Sequence, residues 1–195
     1  MLSSKNHMKT SWQKAKEILS NGGIVVLPTD TIYGIAGSAF SKIAIERMYK
    51  IKERDKKKPF IILIPDLKDL KKFKIEHSNI LQNVGMLKGV SILFPCSDKN
   101  FSYLHRGTKK IAFRQITQKN KNLYDLIKKV GPIATTSVNP QNLKPAETIS
   151  EAKKYFSNKI DLYVSGGKKK SNPSTLIEFK NNRIIVLRQG LTLIK

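Results

Sequence analysis

The 195-residue chain predicts an α/β fold built on a mixed sheet, and three observations carry that prediction. Helical and strand-like apolar patterns alternate irregularly along it. Near its C-terminus two strand-like runs, Thr175 to Phe179 and Ile184 to Leu187, are joined through Asn181-Asn182. Asparagine tolerates positive φ, so this is a hairpin signal, and part of the sheet must be antiparallel. No repeat, low-complexity tract or break in composition divides the chain, so a single domain over residues 1–195 is expected, large enough for a core without covalent staples.

The elements follow in order. Thr10 and Gln13 have capping-box spacing, and Trp12, Ala15, Ile18 and Leu19 recur at helical intervals until Asn21-Gly22 stops them. Ile24 to Leu27 is a short apolar run closed by Pro28, the pattern of a buried strand, and it leads into Thr29-Asp30-Thr31 and the small residues around Gly34 and Gly37. Two hydroxyls and a carboxylate delivered into Gly-rich backbone suit a pocket wall; they equally suit a surface turn capped by Thr and Asp side chains. Ser41 opens a helix with Ile43, Ala44, Met48 and Ile51 on its apolar face. Strands are expected at Phe60 to Ile64, Val90 to Phe94, Ile111 to Ile116, Ile133 to Val138 and Ile160 to Val164. A short helix should open at Pro65-Asp66-Leu67, others at Ile80 to Leu87 and at Leu123 to Val130, and one capped by Thr148 and Glu151 should run to about Phe156.

The charge balance is unusual: 37 basic against 14 acidic residues, a net charge of +23. A field of that sign favours polyanions. No apolar run approaches a membrane span, the stretch Met1 to Met8 lacks the apolar core of a signal peptide, and the single Cys96 fits a reducing compartment. A cytoplasmic protein with no membrane partner is therefore expected, with Cys96 as a structural thiol.

Several clusters could carry chemistry. Lys52, Arg54 and Lys58 lie together between a helix and a strand, where cations could hold phosphates or simply complement the helix dipole. They lack the P-loop pattern, and Gly34-x-x-Gly37 is not a dinucleotide fingerprint. Ser137-x-Asn139 closes a strand, as a phosphate or base contact or as an ordinary Asn-Pro turn. Arg114 sits inside an apolar strand and needs an anionic partner if buried. A bound carboxylate or an internal acid would serve, and the scarcity of acids points to the ligand. His7, His77 and His105 lack metal-ligand spacing, so no metal site is expected. Hydroxyls, Arg and Lys without an evident general base suit positioning and charge stabilisation in phosphoryl or nucleotidyl transfer.

Together these residues resemble the YrdC/TsaC family of threonylcarbamoyl-AMP synthases in its short form. The matching pieces, in family order, are Gly22 to Gly34, Lys52-Glu-Arg54, Ser137-Val-Asn139, Pro173-Ser-Thr175 and Arg188-Gln-Gly190. The resemblance implies a twisted sheet with flanking helices around a concave basic cavity. It implies L-threonine, bicarbonate and ATP as substrates, threonylcarbamoyl-AMP and pyrophosphate as products, and transfer proteins that use the product to make threonylcarbamoyladenosine in tRNA. By position, Thr31, Arg114, Thr135 and Thr175 would hold threonine or its carbamate. ATP, with magnesium, would be held by Arg54, Lys58, Ser137, Asn139 and Arg188, with Lys52 and Arg54 as the catalytic pair. The chain departs from the family at Leu63, where many relatives have histidine, and at Lys110, where they have threonine. It departs also at Lys88-Gly-Val-Ser91 and after Arg114, where the usual His-Pro is absent. A non-catalytic protein that keeps the cavity and binds tRNA or double-stranded RNA is the alternative these departures and the lysine excess leave open.

Overall fold

The computed structural model describes residues 2–55, 57–76, 87–181 and 183–194, with side chains from residue 9 onward. Helix α1 (Leu2–Ser20) starts well before Thr10, which lies inside it, so the capping box expected there is not the helix start. Its end is as the sequence requires. Gly22 takes φ 76°, its N–H donates to Leu19 O, and the Gly23 N–H donates to Ile18 O at 2.8 Å. This pair of bonds needs a left-handed residue, which glycine supplies without a Cβ penalty.

The chain leaves that cap directly into β1 (Ile24–Pro28) and returns antiparallel as β2 (Tyr33–Ser38). The sequence pattern gives no strand at β2, because Gly34, Ala36 and Gly37 are poor strand formers by propensity. The close neighbour explains the glycine: a Cβ on Gly34 would lie 2.4 Å from Thr135 Oγ1 on the adjoining strand. Helix α2 (Lys42–Lys52) is capped by Ser41, whose hydroxyl accepts from the Ala44 N–H at 3.2 Å. Its inner face is Ala44, Ile45, Met48, Tyr49 and Lys52. Ile43, expected on that face, is 80 % exposed, so the apolar stripe lies beside the expected one.

Strand β3 (Ile61–Ile64) precedes a 3₁₀ helix (Leu67–Phe73) capped by Asp66. The helix expected at Ile80 to Leu87 lies outside the described residues apart from Leu87. Then come β4 (Val90–Pro95), a single-turn α3 (Ser102–His105), β5 (Lys110–Gln115) and α4 (Lys121–Val130). They are followed by β6 (Ile133–Ser137), α5 (Ile149–Phe156), a two-residue β7 (Leu162–Tyr163), and the hairpin β8 (Thr175–Lys180) and β9 (Arg183–Arg188). Thr148 caps α5 as its spacing predicts, accepting from the Glu151 N–H at 3.2 Å.

The strands form one mixed sheet in the order β7-β1-β2-β6-β3-β5-β4-β8-β9. Parallel pairs are β1 with β7, β3 with β5 and β4 with β8; the others are antiparallel. Side chains alternate between its faces. One face carries Ile24, Val26, Ile62, Ile64, Ile111 and Phe113 into the larger core, under α2 and the 3₁₀ helix. The other face is covered over only part of its width. There Val25, Leu27, Leu63 and Ile133 pack against Ala15 and Leu19 of α1 and against Leu123, Leu126 and Ile127 of α4. Burial of each such side chain stabilises the fold by roughly 1.5–3 kcal/mol. Over β5, β4 and β8 no helix covers this second face among the described residues, and Lys110, Ala112, Arg114, Leu93 and Leu176 line a cavity there.

Candidate active site

The cavity encloses about 380 Å³. Its floor is the uncovered sheet, and its rim is the β1–β2 turn on one side and the segment between α2 and β3 on the other. The turn is organised by Thr29. The Thr29 hydroxyl donates to Ile32 O at 2.6 Å and accepts from the Thr31 N–H at 3.2 Å, which turns Thr31 towards β5. Arg114 Nη1 then reaches Thr31 Oγ1 at 3.3 Å.

Arg114 has an internal partner, which corrects the expectation that its anion comes from a ligand. Its Nη2 lies 3.1 Å from Asp30 Oδ1, with both side chains at most 9 % exposed. Distance makes this an ion pair, while its geometry falls outside that of a hydrogen bond, and Asp30 Oδ1 has no hydrogen-bond partner among the described residues. Asp30 Oδ2 accepts from the Gly89 N–H at 3.2 Å. Burial pushes the Arg114 pKa down and Asp30 pulls it back up. The buried Arg114 Nε has no hydrogen-bond partner among the described residues, and the residue lines the cavity.

Cations surround the rest of the space. Arg54 and Lys58 come from the α2–β3 segment, Lys110 and Arg114 from β5, and Arg188 from the end of β9. Burial first, and then the fields of Arg114 and Arg54, depress the Arg188 pKa. Arg54 is likewise depressed by burial, with Tyr49 and Asp55 opposing. No carboxylate lines the cavity among the described residues, and the Lys110 charge is balanced from outside it by Glu178 at 2.6 Å. Like charges held this close favour an anion between them. Hydroxyls of Thr31, Thr135, Ser137, Ser174 and Thr108 are interspersed, and Ile32, Pro59, Phe60 and Leu93 supply apolar wall.

Seven of the sequence-predicted residues therefore meet at one cavity: Thr31, Arg54, Lys58, Arg114, Thr135, Ser137 and Arg188. Three do not line it. Thr175 is fully buried, and its hydroxyl donates to Thr192 O at 2.6 Å while accepting from the Gly190 N–H at 3.0 Å; it fastens the chain after β9. Its neighbour Ser174 faces the cavity instead, with its carbonyl held by Arg188 Nη2 at 2.8 Å. Lys52 is 2 % exposed and donates to Ser137 O, Thr136 Oγ1 and Asn139 Oδ1. Asn139 in turn donates to Pro140 O and Leu143 O. Lys52 and Asn139 thus stand behind the wall and shape the Thr136–Ser137 segment. Sequence reasoning named Asp30 and Ser174 only within their motifs, without the pairing of Asp30 to Arg114 or the cavity position of Ser174, and it missed Thr108, two residues from Lys110. Of the departures, Leu63 is buried against the α1–α4 layer and does not reach the cavity, whereas Lys110 does. Cys96 is buried and free, its pKa raised by burial, in keeping with a structural thiol.

Burial, then the field of Arg54, brings the Lys52 pKa down from 10.5 to about 7. The unfolded lysine holds its proton up to about 10.5, so between those limits the folded state binds fewer protons and its stability rises with pH. The urea midpoint of the native chain relative to Lys52→Met should accordingly climb from about pH 7 to about pH 9. A difference that stays flat over that range would mean that Lys52 keeps an ordinary pKa.

Comparison with known proteins fits this geometry. The family model for the Sua5/YciO/YrdC domain, described as telomere recombination, matches residues 17–190. The chain is 28 % identical over 179 residues to a putative threonylcarbamoyl-AMP synthase of Methanocaldococcus jannaschii, covering 90 % of this chain and 83 % of that one. It is 24 % identical over 190 residues to the uncharacterized protein YciO of Escherichia coli, covering 91 % and 88 %. Among solved structures, P. abyssi Sua5 complexed with L-threonine superposes with a TM-score of 0.83 at 23 % identity, over 92 % of this chain and 54 % of that one. E. coli YciO superposes at 0.82 with 23 % identity, over 96 % and 92 %. The solved structures share the fold, and this chain spans about half the length of Sua5.

Proposed function

The chain belongs to the Sua5/YciO/YrdC family, and from that premise we propose that it is an L-threonylcarbamoyl-AMP synthase. The observation that carries the proposal is the convergence of Arg54, Lys58, Lys110, Arg114 and Arg188 with several hydroxyls on one cavity that no carboxylate lines among the described residues. Five cations exceed what an amino acid needs and suit a triphosphate beside it.

In this reading the threonine amine adds to the carbon of bicarbonate, water leaves, and a carbamate results. A carbamate oxygen attacks the α-phosphorus of ATP, the bond to the β-phosphate oxygen breaks, and pyrophosphate departs. Arg114, on the cavity floor, meets the amino acid's carboxylate, while Thr31 and Thr135 orient the rest. Arg54, Lys58 and Arg188 spread over the polyphosphate and stabilise charge as it moves onto the leaving group. Lys52 and Asn139 hold Ser137 in the wall. Magnesium arrives with ATP as part of the substrate. The product serves cytoplasmic transfer proteins that install threonylcarbamoyladenosine in tRNA.

The test is incubation with ATP, labelled threonine and bicarbonate. Pyrophosphate release that requires both threonine and bicarbonate, with labelled threonylcarbamoyl-AMP, is the expected result. Absent release, together with RNA affinity that falls steeply with salt, would favour an RNA-binding role instead.

A further inference from the structure

We infer that Tyr49 and Arg106, neither of which lines the cavity, are positioning residues that aim Arg54 and Lys58 at the phosphate end of the ligand. The inference rests on the assignment of those two cations to a polyphosphate.

Four side chains are stacked from the partly buried Arg106 to the cavity wall. The Arg106 guanidinium lies 4.0 Å from the centroid of the Tyr49 ring. Tyr49 stacks on Phe60, with centroids 4.2 Å apart and planes 26° from parallel. Phe60 presents its other surroundings to the cavity, and the Arg54 guanidinium sits 5.6 Å from its centroid. Arg106 is anchored at its far end by Glu46 of α2 at 2.9 Å. A cation over an aromatic face is attracted to the ring's quadrupole, more strongly where water is excluded, and Tyr49 is only 3 % exposed.

A second link is independent of the stack. The carbonyl of Lys58 accepts from Tyr49 Oη at 3.2 Å and from Arg54 Nε at 2.9 Å. One carbonyl therefore ties α2, Arg54 and the backbone that carries the Lys58 ammonium. Arg54 spends its Nε there and leaves its two terminal nitrogens for a ligand, a directed fork instead of a swinging one. The turn that supplies Arg106 is itself held in shape: Arg106 takes φ 51°, and its N–H donates to Ser102 O at 2.8 Å. The same turn continues to Thr108 and Lys110 on the cavity, so both rims meet behind the wall through Arg106 and Tyr49. Pre-ordering of this kind lowers the entropy lost when an anion binds.

The test uses the full chain with two variants. Tyr49→Phe removes one oxygen and keeps the ring; Arg106→Gln removes the cation and keeps Tyr49. Calorimetric titration with magnesium-ATP, with inorganic tripolyphosphate and with L-threonine gives three affinities for each protein. Each variant should bind ATP and tripolyphosphate about threefold to tenfold more weakly, the scale of one hydrogen bond or one stacked cation, with threonine affinity unchanged. Unchanged polyphosphate affinity in Tyr49→Phe, or equal weakening for threonine, overturns the inference. Tyr49→Phe decides the matter if Arg106→Gln does not fold, because it preserves the packing. A native chain that binds neither ATP nor tripolyphosphate also overturns it. A native chain that binds them but releases no threonine-dependent pyrophosphate sinks the synthase reading alone.

Discussion

Arg114→Met should cost the fold about 3–5 kcal/mol in urea unfolding, the largest effect expected of any single cavity substitution. The reason lies in Asp30. The pair is buried, and removing the guanidinium leaves a buried carboxylate with no other cation paired to it among the described residues. Among the described residues the Gly89 N–H is its one remaining hydrogen-bond partner, and one neutral donor offsets little of a buried charge. Asp30→Asn in the same chain should recover much of the loss, because the orphaned charge goes with it. Function should separate from stability in that double variant: refolded protein should still show no threonine-dependent pyrophosphate release. A stability loss under about 1 kcal/mol for Arg114→Met would mean that Asp30 has access to water.

Arg54→Ala should weaken ATP binding by about a hundredfold or more, with threonine affinity intact. Two charge-assisted hydrogen bonds to phosphate at about 1.5–3 kcal/mol each set that scale. The substitution also removes the Nε bond to the Lys58 carbonyl, so the neighbouring ammonium loses part of its support. Stability should change little, because the cation is crowded by Arg188 and its own pKa is depressed by burial. Unchanged nucleotide affinity, measured calorimetrically, would reduce the basic cluster to surface decoration.

Much of this arrangement was legible in the residues, and the misses have physical causes. Apolar runs bounded by Gly and Pro mark β1, β3, β4 and β6, and β1 and β3 run continuously apolar because both their faces are packed. β2 escapes the same logic: its Gly34 is selected by the approach of Thr135, a contact visible only once β2 and β6 are side by side. Arg114 shows the limit more sharply. Its strand position announces a buried charge, yet the partner lies on a turn far away in sequence, between two threonines that draw attention first. Thr175 and Ser174 differ by one residue and point to opposite sides, so a motif locates the pair without saying which hydroxyl faces the ligand. Leu63 shares a sheet face with Arg114, but alternation cannot say where α1 and α4 stop covering that face.

The strand order has a consequence for how the protein comes into being. β2 pairs with β6 about a hundred residues further on, and β3 waits for both β5 and β6, so a growing chain holds these edges open while the later strands are made. Helix α1 and the β1–β2 hairpin are local and can form early; the cavity floor cannot. Its last cation, Arg188, joins only when β9 pairs with β8. Ligand binding is thus a property of the finished sheet, and nucleotide added during refolding should report the final pairing step, late in a slow, non-local assembly.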